Sequence, residues 1–113
     1  MLRRFLLAKL HRATITATEL SYEGSLGIDE DLMDAAGLLS GEMVHVFNID
    51  NGHRFETYTI PLPRGSKGIA LYGAAARLGQ VGDRVIILAY ALAEEPPVPR
   101  KIELDENNDI VSS

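Results

Sequence analysis

The sequence predicts a mainly β protein: a small closed barrel carrying one or two short helices. Three observations lead there. Gly, Pro and Asn-Gly punctuation cuts the 113 residues into short pieces. Most pieces are rich in β-branched and aromatic residues, above all Arg84-Val85-Ile86-Ile87-Leu88-Ala89-Tyr90. Only two stretches read as helix, and both are short. Many short strands with so little helix bury their apolar faces by closing on one another. Strand pattern alone does not choose among barrel topologies.

Taken in order, residues 2–16 read as one long strand of Leu, Ile and Thr character. Asp29 suits the cap of a short helix through Asp31-Leu32-Met33-Asp34-Ala35-Ala36, and Gly37 suits its end. Met43 to Ile49 is a strand. Asp50-Asn51-Gly52 turns it back into Arg54 to Ile60, so the two form a hairpin. Gly68 to Tyr72 is a shorter strand, and Ala74 to Leu78 is a single helical turn. Val81-Gly82-Asp83 turns into the strand at Arg84. Pro96, Pro97 and Pro99 break the chain. A last hairpin joins Lys101-Ile102-Glu103-Leu104 to Ile110-Val111. With no repeat and no low-complexity linker, residues 1–113 are expected to form one domain.

Composition excludes several classes. A hydrophobic fraction of 46% with 24% charged residues is that of a soluble globular protein. Cysteine is absent, so disulfides and thiolate metal sites are impossible. The net charge of -5 argues against a nucleic-acid footprint. No apolar run approaches the roughly 20 residues that span a bilayer. The opening Met1 to Ala8 has two arginines before four apolar residues, but Lys9 ends the run too soon for a signal peptide. A cytoplasmic protein is expected, without a membrane or nucleic-acid partner. His11 reads as a hydrogen-bonded structural residue, and His45 and His53 as exposed. Three scattered histidines make no metal site.

The most informative residues are Gly24 and Ser25, in Tyr22-Glu23-Gly24-Ser25. Alone, a Gly-Ser step is an ordinary turn. Its company is not ordinary. Lys9-Leu10-His11-Arg12-Ala13-Thr14 precedes it. Asn51-Gly52-His53-Arg54-Phe55-Glu56-Thr57-Tyr58, Arg64-Gly65-Ser66 and Gly73-Ala74-Ala75-Ala76 follow in that order. Over roughly residues 1–92 this set resembles the aspartate 1-decarboxylase family, pyruvoyl enzymes that make β-alanine. Residues 94–113 lie beyond the resemblance, as a variable tail.

The resemblance implies a double-psi barrel assembled as a homotetramer, and a chain that is a proenzyme. Self-cleavage at Gly24-Ser25 would give residues 1–24 (the β chain) and 25–113 (the α chain). Ser25 would become a covalently bound pyruvoyl group that forms a Schiff base with L-aspartate. The product is β-alanine for pantothenate biosynthesis. The resemblance also gives Thr57 a part in self-processing and a substrate contact, Tyr58 the role of proton donor, and Gly73, Ala74 and Ala75 the lining of the substrate pocket. Two positions depart from the family: Tyr72 stands where asparagine is usual, and Arg77 where histidine is expected.

The residue types suit that chemistry. The Ser25 hydroxyl attacks the Gly24 carbonyl through a five-membered ring, and an ester replaces the amide. Elimination across the serine Cα and Cβ releases the Gly24 carboxylate. The dehydroalanine left behind hydrolyses to the pyruvoyl group and ammonia. Glycine leaves the attack unobstructed and tolerates unusual φ/ψ. An oxyanion on Gly24 needs a positioned donor. In an acidic protein, a substrate with two carboxylates needs cations, and Lys9 and Arg54 are the candidates. Period-two alternation puts Lys9 with His11, and Arg54 with Tyr58. It sends Thr57 to the face opposite Tyr58, which a bulge or a site shared between subunits would reconcile. Taken singly, Lys9 and Arg54 read as solvated strand charges. Two other functions stay open: a non-catalytic small barrel acting as a binding or assembly module, and a pyruvoyl decarboxylase for another amino acid.

Overall fold

The computed structural model describes all residues, Met1–Ser113. In chain order the elements are β1 (Arg3–Thr14), β2 (Ala17–Glu19), β3 (Ser25–Asp29), α1 (Glu30–Ala36), β4 (Met43–Asn48) and β5 (Arg54–Leu62). Then follow β6 (Ile69–Tyr72), a 3₁₀ turn (Gly73–Arg77), β7 (Arg84–Ala93), β8 (Arg100–Leu104) and β9 (Ile110–Ser112). The strands form one sheet in the order β2-β6-β3-β5-β4-β7-β1-β8-β9.

The sheet closes because β1 and β2 are two halves of one stretch. The long strand expected over residues 2–16 ends its first pairing at Thr14. The chain then crosses over: Ile15 donates its amide to the Asp83 carbonyl at 2.9 Å, and Thr16 donates its amide to the Ile69 carbonyl at 2.8 Å. From there β2 runs parallel to β6. β2, at one end of the strand order, is thus joined by two residues to β1, which lies beside β8 near the other end. Parallel pairs β2–β6 and β3–β5 sit within an otherwise mostly antiparallel barrel. The fold is a small, mainly β barrel, as expected, with one α-helix and one 3₁₀ turn.

Side chains from every side fill the barrel. Ile15, Leu26, Ile28, Val46, Leu71 and Val85 are fully buried. On β4, alternation buries Val44, Val46 and Asn48 and turns Met43 outward. β3 does not alternate: all five of its residues are buried, because it lies between β5 and β6 and is covered on both faces. Its backbone is crowded as well. A Cβ on Gly27 would fall 2.9 Å from a Leu62 methyl carbon and 3.0 Å from the Tyr72 ring.

The short helix follows β3 directly. The Asp29 carboxylate accepts from the amides of Asp31 (2.9 Å), Gly65 (3.2 Å) and Lys67 (2.8 Å), so it caps α1 and pins the loop before β6. Burial alone would raise the Asp29 carboxyl. The three amides and the Lys67 ammonium outweigh it and hold the group below its ordinary value. Gly37 ends the helix in the left-handed region at φ 76°.

The tail is tied to the barrel. β8 runs parallel to β1, and Ile102 and Leu104 are buried. Asn108, 1% exposed, accepts the Thr14 amide at 2.7 Å and donates to the carbonyls of Thr14 and Lys67 at 2.9 Å each. Its amide thus takes the place of a strand partner where β1 leaves the sheet.

Candidate active site

Ser25 opens β3 opposite Tyr72 of β6 and is 4% exposed. Its hydroxyl reaches the Glu23 carbonyl at 3.5 Å, a long and weak contact that leaves it free to turn. Gly24 lies against the start of the 3₁₀ turn: a Cβ built on it would stand 3.8 Å from the Tyr72 carbonyl and 4.0 Å from the Ala74 amide nitrogen. Gly73 makes this approach possible. It holds φ +65°, and a Cβ there would fall 2.6 Å from the Gly24 nitrogen, 2.7 Å from the Gly24 Cα and 2.7 Å from the Tyr22 carbonyl. Only glycine fits between these backbones.

Two cavities flank the Gly24–Ser25 bond. One, of about 310 Å³, is lined by Tyr22, Glu23, Ser25, Tyr58, Ile60 and Tyr72. The other, of about 230 Å³, is lined by Gly24, Phe55, Glu56, Thr57, Ala74, Ala75 and Leu78. Alternation along β5 therefore stands. No register shift interrupts the pairing of β5 with β4, so no bulge brings Thr57 and Tyr58 to one face. Instead the bond itself lies between them, with Gly24 on the Thr57 side and Ser25 on the Tyr58 side.

The cations lie elsewhere. Lys9 and His11 line a separate cleft with Lys101, Ile102, Glu103 and Ser112. The His11 ring nitrogen Nδ1 is 2.5 Å from Glu103, its register partner on β8. Arg54 lies over the Phe47 ring at 4.1 Å, in a third cleft with His45, Phe55 and Glu56. Within one chain, neither Lys9 nor Arg54 lines the Ser25 cavity. His53 is exposed, but His45 is not the exposed residue expected: its side chain is 29% exposed and meets Tyr90 edge-on at 5.2 Å. Sequence reasoning missed Glu23, Ile60 and Glu103. Ile60 was within reach, two steps beyond Tyr58 on the same strand. Glu103 was not, because only the parallel β1–β8 pairing brings it to His11.

A family model described as aspartate decarboxylase matches residues 1–111. The aspartate 1-decarboxylase of Carboxydothermus hydrogenoformans is 58% identical over 107 residues, covering 91% of this chain and 84% of that one. The enzyme of the same name from Caldicellulosiruptor saccharolyticus is 54% identical over 98% of this chain and 90% of its own. That from Thermotoga petrophila is 50% identical over 98% and 97%. The chain belongs to the aspartate decarboxylase family. Among solved structures, the computationally designed msDPBB_sym2 protein aligns at a TM-score of 0.46 and 17% identity, covering 75% of this chain and 96% of that one. No helix is long and apolar enough to cross a membrane.

Around Gly24–Ser25 the structure brings together a buried serine and a cavity on each side.

Proposed function

We propose that this chain is a proenzyme that cuts itself between Gly24 and Ser25 and then converts L-aspartate to β-alanine and carbon dioxide, for pantothenate biosynthesis in the cytoplasm. One observation carries the reading: in a chain of this family, the Gly24–Ser25 bond separates a cavity holding Thr57 from a cavity holding Tyr58. The two residues can then act at different times on the two sides of one bond.

Self-cleavage comes first. The Ser25 Oγ attacks the Gly24 carbonyl carbon, and the hydroxyl proton passes to the departing amide nitrogen. Negative charge builds on the Gly24 oxygen, and Thr57, on that side, donates its hydroxyl to it. A single donor of this kind is worth about 10²–10³-fold. Gly73 holds the segment in place for the attack.

The pyruvoyl group derived from Ser25 fits its surroundings. Ser25 faces a cavity large enough for an amino acid, and nothing holds its side chain beyond the long contact to Glu23. When formed, this group supplies the carbonyl that binds the substrate amine and the electron sink for loss of carbon dioxide. Tyr58, in the same cavity, donates a proton to the carbon that has lost the carboxyl group. Ala74 and Ala75 form part of the wall on the Gly24 side, and Gly73, which lines neither cavity, packs directly against Gly24. Arg54 grips a substrate carboxylate with two parallel hydrogen bonds, and Lys9 adds a second positive charge.

Because Lys9 and Arg54 open onto clefts of their own, the complete site needs residues of neighbouring copies. A homotetramer supplies them and also holds the 24-residue piece in place. Exposed Met43 and Tyr58, register partners on β4 and β5, offer apolar surface for such a contact.

Borohydride reduction in the presence of aspartate tests the cofactor. The adduct is expected on the 25–113 fragment, at its first residue. An adduct on a lysine would overturn the assignment.

A further inference from the structure

The rings of Tyr22 and Tyr72 lie 5.4 Å apart, tilted by 41°. They belong to opposite sides of the bond after Gly24, so cleavage would leave one on each fragment. The two are not equally fixed. Tyr72 is the register partner of Ser25, and its ring edge would lie 3.0 Å from a Cβ at Gly27, so it packs against the central strand. Tyr22 is 62% exposed and rests on that platform.

Apart from the close approach of the Gly73 backbone, little else holds its segment. No backbone hydrogen bond ties residues 20–24 to another strand. The Ser21 amide bonds only to the Glu19 side chain, at 3.3 Å. Before cleavage the covalent link to Ser25 keeps Tyr22 and Glu23 in place. After it the link is gone and a hydrated carboxylate ends the piece. Tyr22 and Glu23 are nevertheless part of the wall of the Ser25 cavity.

We propose that Tyr22 and Tyr72 form an aromatic clasp that keeps the freed end of residues 1–24 against the Ser25 cavity, which makes Tyr22 a positioning residue for substrate binding. This rests on the cleavage proposed above. The clasp acts through ring contact, so the hydroxyls are dispensable. Its loss lets the end swing away and opens one wall of the cavity, which weakens binding more than chemistry.

The test uses mature protein with Tyr22→Phe, Tyr22→Ala and Tyr72→Phe beside the wild type. Intact mass first establishes that each chain is cut. Carboxypeptidase is then added, and trimming of the 1–24 fragment is followed by mass, with kcat and KM for aspartate measured in parallel. An offset aromatic pair is worth up to roughly tenfold in an equilibrium. Tyr22→Ala is expected to be trimmed about tenfold faster. Its KM should rise several-fold while kcat stays within about twofold. Both Phe variants, which keep the rings, should be trimmed at the wild-type rate. Should Tyr22→Ala not mature, Tyr22→Leu carries the same expectation. Fragments that form normally, with the Tyr22→Ala end as resistant as wild type, overturn the clasp alone. So does a Phe variant that behaves like Ala. A wild-type chain that stays uncut overturns the cleavage and the clasp together, and the mass spectrum distinguishes that result.

Discussion

Gly73→Ala is a sharp probe of how the fold serves the chemistry. The new methyl group would stand 2.6–2.7 Å from the Gly24 nitrogen, the Gly24 Cα and the Tyr22 carbonyl, all backbone atoms. Ordinary contact begins near 3.4 Å, so the segment holding the bond must retreat by about 0.7–0.8 Å. Two costs add. A left-handed alanine costs roughly 1–2 kcal/mol, and forcing a methyl into packed surroundings costs roughly 1–3 kcal/mol. The effect on chemistry is larger, because a misplacement of about 1 Å can cost about 10²-fold. Gly65→Ala is the control. Gly65 holds φ +81° with nothing within 4 Å of a Cβ, so it carries the backbone cost without the collision. Freshly purified proteins are incubated and fragment formation is followed by mass, with thermal unfolding alongside. Gly73→Ala is expected to cleave at least about 10²-fold more slowly than wild type. Gly65→Ala should cleave normally and lose only about 1–2 kcal/mol of stability. Wild-type cleavage by folded Gly73→Ala would refute the claim that this close approach positions the bond.

Other expectations separate the remaining roles. Thr57→Val should slow cleavage itself, whereas Tyr58→Phe and Arg54→Ala should mature but release little β-alanine; fragment and product assays run side by side check this, and the reverse pattern would exchange the assignments of Thr57 and Tyr58. The mature protein should scatter light as a homotetramer, and a fully active monomer at micromolar concentration would count against a site completed by neighbours. The Asp29 carboxyl is held below its ordinary 3.8, so the stability it contributes is fully present above that pH and is lost as pH falls through the lower folded value. Asp29→Asn should therefore melt below wild type at pH 7, because one neutral amide oxygen replaces the carboxylate that accepts from the Asp31, Gly65 and Lys67 amides. That gap should narrow below about pH 4, as a pH series of melting curves would reveal.

Most elements were legible because local chemistry decides them. Asp29 and Gly37 bracket α1 as caps should, and Asn51-Gly52 turns β4 into β5. β3 escaped notice because it is covered on both faces and contains Gly27, so it shows neither alternation nor strong β propensity. β2 escaped because three exposed residues carry no pattern; only the crossing at Ile15–Thr16 defines it. The site was partly legible. Alternation separated Thr57 from Tyr58 correctly, but only the position of Gly24–Ser25 between two cavities makes sense of that separation. The grouping of Arg54 with Tyr58 on one strand face did not bring Arg54 into the Ser25 cavity. A nine-residue strand is long enough for residues four apart to serve different clefts.

If this chain makes its own reactive group by cutting itself, the intact mass of the purified protein, beside Ser25→Ala, will show it. The wild type should give two masses: residues 1–24, and the remaining 113 − 24 = 89 residues with Ser25 converted to pyruvoyl. Ser25→Ala should give one uncut chain. A single full-length mass for wild-type protein that nonetheless releases β-alanine from aspartate would contradict the account, as would cleavage at this bond in Ser25→Ala.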